Sequence, residues 1–342
     1  MSLLLKQIRF INTTSLVRPL PIPNKLSKSM SCTTIVKHSN LSSSINPEVA
    51  HEFPFFRVYK VGRIEKFRWP PQKIPPSDDP ITGVKSKDVV VSPDPDISAR
   101  IFLPRVSDPA HKLPLLFYVH GGGFSFESAF STQTDHYVRI LAAEAKAVAV
   151  SVEYRLAPEH PIPACYEDCW AALQWVASHA SGNGPEPWLN NHADFGRLFL
   201  AGESAGANIC HTLAVRVGTV GLPNSRIVGA VLSHPYFGGT DDDAMWLYMC
   251  PTSSGLEDRR LKPAAEDLCV LGCERVLVSV AERDHLCRIG RAYYEDLKKS
   301  GWKGTVEIVE SLGEEHCFHM DDPTCDNATA LIKRIVSFIK HD

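Results

Sequence analysis

Ser204 stands between Gly202 and Gly206 where an apolar run meets a helical pattern, and that junction restricts the fold more than any other stretch. Residues 197–201, Arg-Leu-Phe-Leu-Ala, read as a buried strand, and 205–217 as a helix that Gly218 ends. A strand that turns into a helix within a few residues strains the turn residue. Glycines two positions to either side let strand and helix approach without side-chain clash. The pentapeptide alone arises by chance in about one chain in ten of this length, so its weight comes from the strand and helix around it.

The rest of the chain alternates in the same way. Parallel strands are predicted at 115–119, 147–152, 198–201, 228–232, 276–280 and 306–309, with helices such as 164–179 and 328–340 between or after them. An early hairpin, 56–59 and 63–67 around Val61-Gly62, precedes strands at 89–91 and 99–102, all read as antiparallel edge strands. The fold class is therefore α/β, a mostly parallel sheet with helices on both faces. Its ligands belong at the strand ends along one rim.

Chemistry gathers at that rim. His120-Gly121-Gly122-Gly123 follows the strand at 115–119, and successive glycines let backbone N–H groups turn toward one point. Gly121, Gly122 and Ala205 are the expected oxyanion donors, with the His120 ring bracing the loop. A serine hydroxyl needs an adjacent base, and behind such an elbow the acid and then the base follow the serine on loops after late strands. Asp284, after the strand at 276–280, and His316, after the strand at 306–309, meet that order. Glu282 and His319 are their near competitors. Phe124, Ser125, Phe126, Tyr236, Phe237 and Trp246, with Phe130, are candidate pocket residues. Cap segments are expected near 47–56 and 241–262. Asp241-Asp242-Asp243 reads as a solvated loop rather than a metal site, and no cofactor is called for.

These stretches resemble a plant carboxylesterase of the hormone-sensitive-lipase-like branch of the α/β-hydrolase superfamily, the group that also contains the gibberellin receptors. The resemblance runs from about His51 to the C-terminus. It rests on His51-Glu52-Phe53-Pro54, the glycine loop with Phe124, Tyr154-Arg155-Leu156-Ala157-Pro158-Glu159-His160-Pro161, Tyr166-Glu167-Asp168, Gly202 to Gly206 with Asn208, His234-Pro235-Tyr236-Phe237-Gly238, Ala281 to Asp284, and Gly313 to Phe318. Lys262-Pro263 departs from the usual Asn-Pro. The resemblance implies an α/β-hydrolase fold, a Ser204–His316–Asp284 triad, and an acyl-enzyme formed on small, largely apolar plant esters. It also implies alternatives on the same site, namely intramolecular transesterification to a lactone, elimination, or cyclisation. A binding-only receptor is the remaining one, and His316, which the receptors lack, argues against it.

Composition fits a single enzyme domain spanning 48–342. The 342 residues are 44% apolar and 22% charged, and a net charge of −3 gives no electrostatic footprint for nucleic acid. No run of eighteen apolar residues offers a membrane span. The partner is thus expected to be a small molecule, and nothing in the chain signals an oligomeric state. Residues 1–47 differ in kind, with six Lys or Arg, no Asp or Glu, and many Ser and Thr. They read as a transit peptide addressed to the plastid. The alternatives are a disordered tail or an extension ahead of Met30, with a cytoplasmic protein. Ten cysteines include the pairs Cys165/Cys169 and Cys269/Cys273, each spaced four apart rather than as Cys-x-x-Cys, so reduced thiols are expected.

Overall fold

The apolar runs assemble into one eight-stranded sheet. The structure, a computed structural model, describes residues 48–67, 70–108 and 111–341. The expected transit peptide lies outside the described residues. In chain order the strands are β1 (Val49–Glu52), β2 (Phe56–Tyr59), β3 (Ile64–Lys66), β4 (Lys85–Pro93), β5 (Asp96–Leu103), β6 (Leu113–Val119), β7 (Val148–Glu153), β8 (Ala193–Glu203), β9 (Ile227–Ser233), β10 (Cys273–Ala281) and β11 (Thr305–Ser311). The large sheet has the order β11-β10-β9-β8-β6-β7-β5-β4. β5 pairs antiparallel with both its neighbours, and all other pairs are parallel. Strands β6 and β9 are buried along their whole length, as expected of parallel strands covered on both faces.

Nine α-helices are assigned among the described residues: α1 (Thr132–Ala145), α2 (Ala164–Ala177), α3 (Pro187–His192), α4 (Ala205–Val220), α5 (Asp243–Met249), α6 (Ala265–Leu268), α7 (Cys287–Lys299), α8 (Phe318–Asp321) and α9 (Asp326–Lys340). Apolar residues of α1 and α9 form the core on one face of the sheet, and those of α2, α4 and α7 form it on the other. None of these helices is long and apolar enough to cross a membrane.

Two expectations need correction. The early hairpin does not join the main sheet; β2 and β3 pair with β1 in a separate three-stranded sheet. Nor does Gly218 end the elbow helix. A Cβ there would lie 1.5 Å from the Val270 carbonyl oxygen, so this glycine permits close packing, and α4 continues to Val220 before Gly221 at φ 79°.

The separate sheet packs against α5. His51, Phe53 and Phe56 surround the ring of Tyr248 on α5, with centroids 5.2, 5.0 and 6.1 Å away. Segments distant in the chain thus meet above the C-terminal ends of the parallel strands.

Candidate active site

β8 delivers Ser204 into a left-handed conformation, φ 54° and ψ −117°, that side chains rarely adopt. Such strain costs on the order of 1–3 kcal/mol and persists only where the surroundings enforce it. Here they do. Ser204 N–H donates to the Ser233 carbonyl at 2.8 Å. A Cβ on Gly206 would sit 2.1 Å from the Val119 carbonyl oxygen, and one on Gly202 would sit 2.6 Å from the same atom. Only glycine at both positions lets the elbow close onto the end of β6.

His316, on the loop between β11 and α8, places Nε2 3.0 Å from Ser204 Oγ and Nδ1 2.8 Å from Asp284 Oδ2. A carboxylate can only accept, so Nδ1 carries the hydrogen, and the neutral ring presents an Nε2 lone pair to the serine hydroxyl. Asp284, after β10, is buried. Its Oδ1 accepts the Leu286 N–H at 2.8 Å, and its Oδ2 accepts a second imidazole, His234 Nδ1, at 3.0 Å. Burial pushes this carboxyl up, but donation from His234 and His316 outweighs it and holds the group below the usual carboxylate range. The ligand-capable atoms of His234, Asp284 and His316 lie within 4.8 Å of one another, and these hydrogen bonds account for the grouping.

The competitors sit elsewhere. Glu282 accepts the Gly313 N–H at 2.7 Å on the surface. His319 is fully buried behind the site, stacked on His234 at 5.2 Å.

The glycine loop requires a change to the expected donors. Gly121 N–H donates to Glu203 Oε1 at 2.7 Å, so it is spent on a side chain rather than offered to a ligand. Gly122 at φ 86° and Gly123 at φ 55° carry the chain away, and Gly123, not Gly121, lines the cleft with Ser204 and Ala205. Of the expected donors, Ala205 stands at the cleft, whereas the Gly121 N–H is engaged by Glu203. His120 does abut the loop, with Nδ1 3.0 Å from the Gly121 carbonyl oxygen and its ring stacked on Tyr154 at 4.2 Å.

Sequence reasoning passed over Glu203, although a charged residue closing a buried strand is itself a signal. Its carboxyl also accepts the Tyr118 hydroxyl. Burial, only partly offset by these two bonds, pushes it up to about 8. Between its ordinary value of 4.5 and that figure, the folded chain holds a proton that the unfolded chain has lost, so stability falls as pH rises through this window. Glu203→Gln, which keeps an acceptor for Gly121, should flatten that decline. Urea midpoints of both proteins at about pH 5.5 and about pH 8 measure it.

A cleft opens beside Ser204. Phe124, Tyr236 and Trp246 line it, joined by Phe55 and Met245 from the two segments expected near 47–56 and 241–262, and by Leu286, which the sequence did not suggest. Four candidates, Ser125, Phe126, Phe237 and Phe130, do not line it. Ser125 is fully buried, Phe126 packs on Phe55 at 4.7 Å, and Phe237 stacks on Tyr293 at 4.5 Å, facing a different groove. Phe130 lies under Arg100, 5.2 Å away. At the polar end of the cleft, Asp242 Oδ2 meets His285 Nε2 at 3.1 Å.

Residues 116–320 match a family described as alpha/beta hydrolase fold. The chain is 44% identical over 317 residues to probable carboxylesterase 1 of Arabidopsis thaliana, covering 87% of this chain and 99% of that one. It is 43% identical over 325 residues to a 2-hydroxyisoflavanone dehydratase of Glycyrrhiza echinata, covering 88% and 99%. It is 40% identical over 305 residues to tuliposide A-converting enzyme 1 of Tulipa gesneriana, whose name places that protein in the chloroplast, covering 84% and 77%. Among solved structures, a hyperthermophilic esterase from the archaeon Pyrobaculum calidifontis superposes with a TM-score of 0.62 at 30% identity, covering 75% of this chain and 85% of that one. On these similarities the chain belongs to the plant carboxylesterase family of hormone-sensitive-lipase-like α/β-hydrolases.

Proposed function

We infer that this chain is a serine carboxylesterase that hydrolyses small, largely apolar esters through an acyl-enzyme on Ser204. The observation that carries the reading is the unbroken path from Ser204 Oγ through His316 to Asp284, at 3.0 and 2.8 Å. His316 takes the hydroxyl proton as Oγ attacks the ester carbonyl, while Asp284 fixes the ring and stabilises its charged form. The carbonyl oxygen becomes an oxyanion facing the N–H groups of Gly122, Gly123 and Ala205. His316 then returns the proton to the leaving alkoxide, and water, activated by the same base, releases the acid.

The apolar walls, Phe55, Phe124 and Trp246 among them, suit an acyl group without charge. Rapid mixing with p-nitrophenyl acetate should release one equivalent of p-nitrophenol in a burst, with an acetyl group on the peptide containing Ser204. Acetyl transfer to any other residue, or none at all, overturns the reading.

The same site supports a second chemistry, favoured by the similarity to a dehydratase. His316 would act as base on the substrate without an acyl-enzyme, giving elimination or cyclisation, or a substrate hydroxyl would replace water and give a lactone. No feature of the site favours binding alone. For residues 1–47, the basic, acid-free composition together with the chloroplastic relative supports a plastid address.

A further inference from the structure

The cleft is apolar on most of its wall and charged at one end, and the charged end lies on a definite side of the reaction. Asp242 and His285 come from different parts of the fold, just before α5 and just after β10, and meet across the cleft at 3.1 Å. Helix architecture does not require Asp242 there. Its side chain caps nothing in α5, whereas the next residue, Asp243, accepts the Gly239 N–H at 2.8 Å and the Tyr236 hydroxyl at 2.9 Å. Both members of the pair line the same cleft as Ser204 and His316.

Their position relative to the base gives the pair a meaning. The His285 ring lies 5.4 Å from the His316 ring, and its Nδ1 is 3.3 Å from Asp284 Oδ1. A base that returns its proton to the leaving oxygen must have that oxygen beside it, so the alcohol portion of the ester occupies the His316 side. Asp242 and His285, beside His316 in the same cleft, therefore face the alcohol.

We propose that Asp242 and His285 form an alcohol-side subsite that reads hydroxyl groups, making the preferred substrates small apolar acyl esters of polyhydroxy alcohols. This rests on the esterase reading above and adds a substrate class to it. Both His285 nitrogens already face carboxylate oxygens, Asp242 Oδ2 and Asp284 Oδ1, so the imidazole fixes Asp242, whose remaining lone pairs accept O–H bonds and suit two adjacent hydroxyls better than one. A cationic alcohol is a poorer match, because the carboxylate already has its counter-charge when His285 is protonated. Hydrogen bonding to Asp242 raises the His285 pKa and favours that form.

Glycerol 1-butyrate and propyl butyrate share a carbon skeleton and differ by two hydroxyls, which makes them a matched pair. The kcat/KM ratio of glycerol ester to propyl ester should exceed about tenfold in the native protein. It should fall to about one in Asp242→Ala and to an intermediate value in Asp242→Asn. Because the ratio is internal to each protein, partial loss of folded enzyme cancels. A native ratio near one, or a ratio unchanged in both Asp242→Ala and His285→Ala, overturns the subsite. So does a preference for butyrylcholine over the glycerol ester. Turnover of p-nitrophenyl butyrate is measured alongside. Its absence overturns the esterase reading, and its presence with a ratio near one overturns only the subsite.

Discussion

Ser204→Ala should lower kcat for p-nitrophenyl butyrate on the order of 10⁶-fold, leaving the residual rate that the oxyanion donors and binding supply by themselves. The loss belongs to chemistry rather than folding. Ser204 contributes one hydroxyl whose partner is a ring nitrogen, and its backbone bond to Ser233 survives the substitution. The unfolding midpoint should therefore move little. The same variant separates the two chemistries this site supports: an enzyme working by elimination from His316 keeps substantial turnover of its substrate without Oγ, and one working through an ester bond to Ser204 does not.

Asp284→Asn should cost about 10⁴-fold in kcat at neutral pH, with a much smaller change in KM. The carboxylate accepts from two imidazoles at one oxygen, His316 at 2.8 Å and His234 at 3.0 Å. An amide has one oxygen and one NH₂. Where the NH₂ faces His316, Nδ1 must accept, the hydrogen moves to Nε2, and the lone pair facing Ser204 is lost. The substitution also has a signature in stability. The Asp284 pKa is depressed on folding, so its contribution is complete above the ordinary value of 3.8 and disappears as pH falls toward the lower folded value. Urea midpoints between about pH 6 and about pH 3 should decline less steeply in the variant than in the native chain.

What could be read from the chain, and what could not, follows the range of the forces involved. β6 and β9 appear in sequence as continuous apolar runs because both faces are covered, and these two observed strands contain the predicted ones. Ser204, Asp284 and His316 were placed by strand ends and chain order, and the fold brings them within hydrogen-bond reach. The donors of the glycine loop were not so legible. The Gly121 N–H is taken by Glu203, which is 82 positions away, and no local pattern announces that bond. Pocket walls fared alike. Phe124 enters the cleft and Phe126 turns to Phe55, because the loop between them has no period to assign their sides. β1, exposed along all four residues, lacks the apolar alternation that marks a half-buried strand, and it is defined by its pairing with β2.

Phe55 stands against Gly123 and lines the cleft, although it lies only a few positions beyond the basic, acid-free residues 1–47. Any protease that trims this chain must therefore work within narrow tolerances. A cut at the acid-free boundary spares the aromatic, whereas one slightly beyond Phe55 leaves Ser204, His316 and Asp284 in place beneath an unroofed glycine loop.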